Sequence, residues 1–253
     1  MSMLEVSHLK RAFGGLVAVR DVSFHVDHGD FLGLIGPNGA GKTTLFNVIS
    51  GVLKPSAGTV RFFDRDISGQ PANRTVRQGL SRTFQAATIY PEATVIENAT
   101  RGTFVSSRTG LWGGFFSRKW RIEAEQKAFA VLELFGLARR AGLKARELAY
   151  GEQRRLGVAI ALASDPKLLM LDEPVAGLNP EEAAELASVL RRVKAERGVT
   201  MVMVEHHMRT VMGLCNRIVV LDHGTLIAEG SPGEIVSNPL VIEAYLGKEA
   251  VDA

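Results

Sequence analysis

Short apolar runs alternate along the chain with longer stretches in which apolar residues recur every third or fourth position. The runs at 4–9, 22–26 and 31–35 are β-rich and are separated by the turn clusters Gly14-Gly15 and Asp27-His28-Gly29-Asp30, so the first 35 residues read as strand-rich. The run at 31–35 ends in a glycine loop, after which a helical pattern begins near Lys42. Residues 167–171 and 199–204 read as two further buried strands. Between them Ala183, Leu186, Leu190 and Val193 recur at spacings of 3, 4 and 3, which gives a helix with one apolar face. Strands alternating with such helices predict an α/β protein with a parallel sheet. From roughly residue 86 to residue 165 the pattern is helical, with Ala128, Val131, Leu132 and Phe135 on one face, and this stretch reads as an inserted helical subdomain. A hairpin is expected at Asp222-His223-Gly224, and a short amphipathic tail at 241–246.

Composition narrows the class. With 253 residues, 46% hydrophobic and 23% charged, the chain can bury a sizeable core without staples. The single cysteine, Cys215, cannot form an internal disulfide, and the first residues lack the basic start and apolar run of a secretory signal, so the reducing cytoplasm is expected. No run approaches the roughly 20 apolar residues that span a bilayer. The net charge of +3 would invite a nucleic-acid partner, but 30 basic residues are balanced by 27 acidic ones with no dense basic block, so no nucleic acid is expected.

Two motifs carry chemistry. Gly36-Pro37-Asn38-Gly39-Ala40-Gly41-Lys42-Thr43-Thr44 has the spacing of a phosphate-binding loop and lies after an apolar strand and before a helix. Its glycines let backbone N–H groups and the helix N-terminus point at phosphate oxygens, Lys42 supplies positive charge near the terminal phosphates, and the Thr43 hydroxyl can reach a magnesium ion. The run 168–171 ends in Asp172 and Glu173, which places two carboxylates at the carboxyl edge of a sheet. Asp172 is expected to hold the magnesium shell, and Glu173 to orient or deprotonate an attacking water.

With these motifs in order, nearly the whole chain resembles the ATP-binding subunits of ABC transporters. The resemblance implies a P-loop NTPase of ABC type: a mostly parallel core sheet with an antiparallel β subdomain, and an inserted α-helical subdomain. On that basis residues 1–85 and 166–253 form the catalytic core and 86–165 the helical subdomain. It also implies further roles. Gln85, in Arg82-Thr83-Phe84-Gln85, matches the glutamine that senses magnesium and nucleotide, and His206 the histidine that contacts the terminal phosphate. Ala176-Gly177-Leu178-Asn179 matches the loop that crosses the dimer interface. Phe13 stands where the family places a ring against adenine, with a core position as the other reading. Leu148-Ala149-Tyr150-Gly151-Glu152 takes the place of the LSGGQ signature, with Ala149 replacing the serine and Tyr150 the first glycine. His207 and Ile160 also depart from the family pattern, which commonly has an acid and an arginine there.

These variants look like the branched-chain amino-acid uptake subfamily. The implied cofactors are ATP and Mg2+, and the implied function is an ATP-hydrolysing importer subunit at the cytoplasmic face of the plasma membrane. Its expected partners are two membrane-spanning permease subunits, a second homologous ATP-binding subunit or another copy of itself, and, indirectly, an external substrate-binding protein. The stretch 106–120, with Trp112, Phe115, Phe116 and Trp120 beside Arg108, Arg118 and Lys119, either packs on the helical subdomain or meets a membrane partner. A soluble ABC-type ATPase of translation or repair is the alternative, disfavoured by a single ATP domain without a coiled-coil insertion. A P-loop kinase has no use for the signature, the histidine and the interface loop together.

Overall fold

Alternation of inward and outward residues starts the chain as a long antiparallel pair, β1 (Ser2–Phe13) and β2 (Leu16–Asp27), which turns at Gly14-Gly15. Both strands outrun the apolar stretches at 4–9 and 22–26. The main-chain ladder continues through polar and exposed positions, with Arg11 opposite Val19 and Phe13 opposite Leu16. This computed structural model describes residues 2–83, 89–104 and 118–249, with side chains as far as residue 245. β3 (Phe31–Ile35), buried at all five positions, leads into α1 (Lys42–Ile49), followed by β4 (Ala57–Phe62), β5 (Arg65–Asp66) and α2 (Ala72–Arg77). Then come β6 (Leu80–Arg82), α3 (Val95–Thr103), α4 (Arg118–Leu134), α5 (Tyr150–Ala163), β7 (Leu168–Asp172) and α6 (Pro180–Arg197). The chain continues through β8 (Thr200–Val204), α7 (Met208–Leu214), β9 (Arg217–Asp222), β10 (Thr225–Gly230), α8 (Pro232–Val236) and α9 (Pro239–Glu249).

These elements fall into two units, Met1–Thr75 with Thr200–Ala253, and Val76–Val199. In the first unit the strands run in the order β5-β4-β1-β2-β10-β9-β3-β8. β3 pairs in parallel with β8 and β9, while β1, β2, β4 and β5 are joined by antiparallel pairings, so a parallel core continues into an antiparallel part. Fully buried strands such as β3 and β8 are almost entirely apolar because both of their faces are covered, and the one polar side chain, Thr200 of β8, accepts from Gly29 N–H (3.0 Å). The expected hairpin joins β9 to β10. Thr225 pairs with Asp222 across His223 (φ 44°) and Gly224 (φ 79°), the two left-handed residues that match the twist of the strands. The tail helix α9 differs in detail from expectation. Val241 takes the buried position and Tyr245, one turn on, is half-buried, whereas Ile242 is 44% exposed because it points off that face.

In the second unit β6, a strand too short to announce itself in the sequence, pairs in parallel with β7. The helices α3, α4 and α5 pack on one another through Val95, Ala99, Ala128, Val131, Leu156 and Ala159, all buried. Of these, Val95, Val131 and Leu156 each contribute about 1.5–3 kcal/mol by burial, and the alanines let the helices approach closely. α3 is entered through a reciprocal cap. Thr94 N–H donates to Glu97 Oε2 (2.7 Å) and Glu97 N–H to Thr94 Oγ1 (3.2 Å); the first of these, with the Thr94 hydroxyl on the same Oε2 (3.0 Å), holds the Glu97 carboxyl below the usual carboxylate range. At the start of α4, Trp120 stacks on Phe104 with ring centroids 5.1 Å apart. Gln85, Arg108, Trp112, Phe115 and Phe116 lie outside the described residues. Among the described residues no helix is long and apolar enough to cross a membrane.

Candidate nucleotide site

The loop of residues 36–44 is folded around the Lys42 ammonium. Lys42 is 8% exposed, and Nζ donates to Gly36 O at 2.7 Å and to Pro37 O at 3.0 Å. The loop closes through Ala40 N–H on Pro37 O (3.1 Å) and is tied to the β9–β10 turn by Gly224 N–H on Ala40 O (3.0 Å). Gly36, Pro37 and Ala40 are buried, while Asn38 and Gly39 form the exposed rim. Gly41 has φ 97°, and a Cβ there would come within 2.3 Å of Ala18 O, so only glycine admits this approach. It leads into α1 without a side-chain cap, and the first turn carries no acidic residue. Leu45 N–H already returns to Gly41 O (2.9 Å), which leaves the amides of the preceding turn directed out of the helix end. That is a cradle for an anion. Thr43 is exposed and Thr44 half-buried at the same end, which places two hydroxyls there. Burial pushes the Tyr245 phenol up from its ordinary value, and the nearby Gly36 main chain offsets part of this, so the tail helix lies close to the first residue of the loop.

Phe13 ends β1 at 42% exposure with the Arg11 guanidinium 4.4 Å from its ring centroid, so its ring faces solvent instead of the core. His206 follows β8 and is exposed. Glu205 before it is fully buried, and its Oε2 accepts from His206 N–H (3.2 Å) and His207 N–H (3.3 Å), which fixes the main chain that carries the histidine.

In the second unit Asp172 is the last residue of β7 and its side chain is 4% exposed. Its Oδ2 meets Arg82 Nη2 at 2.6 Å, with Arg82 6% exposed, and its N–H donates to Thr83 Oγ1 at 3.1 Å. β6 and the residue after it thus hold Asp172 at two points, Arg82 on its carboxylate and Thr83 on its main-chain N–H. Glu173 adopts φ 45° directly before Pro174, a backbone conformation that costs energy for a non-glycine residue and is characteristic of functional positions. Residues 148–152 open α5. Leu148 is buried, Ala149 takes the N-cap conformation (φ −61°, ψ 158°), Gly151 is buried and Tyr150 is half exposed. Alanine has no acceptor, so the only side-chain capping bond is Ala149 N–H on Glu152 Oε2 (3.1 Å). α6 is capped in full by Asn179, whose Oδ1 accepts from Glu181 N–H (3.0 Å) and Glu182 N–H (2.9 Å).

A sequence model of the ABC transporter family matches residues 19–176, and a model for branched-chain amino acid ATP-binding cassette transporters matches residues 225–251. The chain belongs to the ABC transporter ATP-binding family. It is 43% identical over 250 residues to the high-affinity branched-chain amino acid transport ATP-binding protein LivG of Salmonella typhimurium, covering 97% of this chain and 98% of that one. The corresponding protein BraF of Pseudomonas aeruginosa is 40% identical with the same coverage. Among solved structures, the ADP conformation of an ATP-binding cassette of an ABC transporter superposes with a TM-score of 0.86 at 34% identity, over 98% of this chain and 99% of that one. The fold is therefore that of an ABC cassette, as the order of motifs implied.

Two residues of this cassette had no role in the sequence reading. Arg82 stood in the stretch that leads to Gln85, and only the pairing of β6 with β7 shows that it neutralises Asp172. Glu205 directly follows the apolar run 199–204. The signal was a carboxylate joined to such a run, since an acid buried with it requires hydrogen-bond donors.

Proposed function

We propose that this cassette hydrolyses magnesium-bound ATP to drive import of branched-chain or related amino acids. The observation that carries nucleotide binding is the buried Lys42 ammonium on the carbonyls of Gly36 and Pro37 at an uncapped helix start free of acids. Likeness over almost the full length to two subunits named for branched-chain amino acid transport supports the substrate class.

In this reading residues 36–44 hold the phosphates, Phe13 offers an exposed ring to adenine, and His206 contacts the terminal phosphate. The hydroxyl of Thr43 and the carboxylate of Asp172, with Gln85, are hard oxygen donors suited to magnesium. The bound ion would neutralise charge on the phosphates. Arg82 keeps one Asp172 oxygen engaged, which leaves the other to face the metal shell. Glu173 accepts the proton of the attacking water. Residues 1–85 and 166–253 act as the catalytic core and 86–165 as the helical part, which passes motion to two membrane-spanning permease subunits at the cytoplasmic face. A second ATP-binding subunit completes each site with its own signature, and an external substrate-binding protein delivers the amino acid.

The test uses tagged Glu173→Gln chain recovered from its native membranes with ATP present. Two multi-span proteins and an ATP-binding partner are expected in the recovered complex, with nucleotide bound and hydrolysis slowed about 10²–10⁴-fold. Recovery of soluble or ribosomal partners alone would overturn the importer, and hydrolysis equal to wild type would overturn the role of Glu173.

A further inference from the structure

Tyr150 stands where the family signature has a small residue, and its ring rests on a distant loop of the same chain. A Cβ at Gly177 would lie 3.1 Å from both Cε1 and Oη of Tyr150, so the loop backbone rests closely on the ring and a larger residue there would press the ring back by a few tenths of an ångström. Gly177 also has φ 77°, a conformation that favours glycine. Tyr150 Oη donates to Ala176 O at 3.3 Å and accepts from Arg154 Nε at 2.9 Å. Arg154, one turn along α5, lies 5.2 Å from the ring centroid and so props the phenol from its helix side. The loop also carries its own turn bonds, Ala176 N–H on Glu173 O (3.2 Å) and Leu178 N–H on Val175 O (3.1 Å), before Asn179 caps α6.

We propose that Tyr150 is a positioning residue that clamps the 176–179 loop to the start of α5, so that signature and interface loop meet a second ATP-binding subunit as one pre-ordered surface. The larger side chain gives up the close approach that a glycine would allow. In exchange it orders, before association, a loop whose ordering would otherwise be charged against association. The clamp is a property of this chain alone, whereas the role of the surface rests on the function proposed above.

Amide hydrogen exchange on the full chain without nucleotide or partners reads the clamp directly. Tyr150→Ala is expected to speed exchange at residues 176–178 about tenfold, with the β3 amides unchanged. Tyr150→Phe keeps the ring and loses Oη, so it should retain most of the protection, with a rise of about threefold confined to the same residues. Wild-type rates at 176–178 in both variants would overturn the clamp. If Tyr150→Ala loosens the whole chain, Tyr150→Phe decides, because a merely space-filling ring would leave its loop exchange at the wild-type rate. ATP-dependent pairing in the Glu173→Gln background reads the second half of the proposal. A roughly tenfold weaker pairing with Tyr150→Ala is expected, and undiminished pairing despite a loosened loop would overturn the pre-ordered surface. Absence of pairing even with Tyr150 in place would count against the importer reading, with the clamp judged by exchange alone.

Discussion

Lys42 is held by main-chain carbonyls five and six residues away, whereas Asp172 is held by a guanidinium ninety residues away. The same contrast separates the two helix starts. α1 is entered through a glycine loop in which main-chain groups make the bonds, its own carbonyls on Lys42 and the Gly224 N–H on Ala40 O, with no acid in its first turn. α5 is entered through side chains that draw on other parts of the chain: Glu152 pairs with Arg140 at 3.3 Å, and Tyr150 reaches a loop 26 residues on. A site built from local backbone can be lost as a function without loss of the fold. A site built from distant side chains is part of the packing, and its chemistry cannot be removed without disturbing what it holds.

The sharpest way to break this comparison is Arg82→Ala. It would leave the Asp172 carboxylate buried without its cation, and removal of one partner of such a pair costs about 3–5 kcal/mol. An unfolding free energy from denaturant titration lowered by that amount and partly recovered by Arg82→Lys is expected. Lys42→Ala is the counterpart in the first unit. The carbonyls it leaves belong to a loop that other bonds close, so the unfolding free energy should fall by no more than about 1 kcal/mol. Nucleotide affinity, measured with a fluorescent ADP analogue, should fall about a hundredfold. Equal destabilisation by the two substitutions would show that the loop is as much a packing element as the buried pair.

The contrast also explains what the sequence disclosed. The phosphate loop, β3, the start of α1 and the His223-Gly224 hairpin were legible because each is specified within a dozen residues by spacing and backbone demands. Asp172 was legible as a strand-end acid, but its partner was not, since β6 has only three residues and its register against β7 is a tertiary fact. The exposure of Phe13, left open between core and surface, follows from a ladder that carries β1 beyond its apolar run. The tail at 241–246 was legible as apolar but not the face it turns inward, which buries Val241 and leaves Ile242 exposed.

Smaller changes at the start of α5 sharpen the comparison from the other side. Glu152 puts a negative charge in the first turn, favourable to the helix end but opposed to a phosphate brought there by a second subunit. Glu152→Gln keeps an oxygen for Ala149 N–H and loses the pair with the half-exposed Arg140, so stability should fall by about 0.2–1 kcal/mol. Turnover of the assembled complex should rise a few-fold.

Ala149→Ser is the mildest change and separates two roles of one hydroxyl. Ala149 already has the backbone of an N-cap, and Glu152 supplies only the reciprocal half of the box. A serine would therefore accept from the first-turn amides without rearrangement, and a gain of about 0.5–1 kcal/mol is expected in the isolated chain. In the assembled complex the same hydroxyl would face the partner's nucleotide, so turnover should increase two- to threefold, by about 0.5 kcal/mol in barrier. A stability gain with unchanged turnover would mean that residues 148–152 serve this chain as a helix start alone, and that the composite site they complete is not limited by the missing hydroxyl.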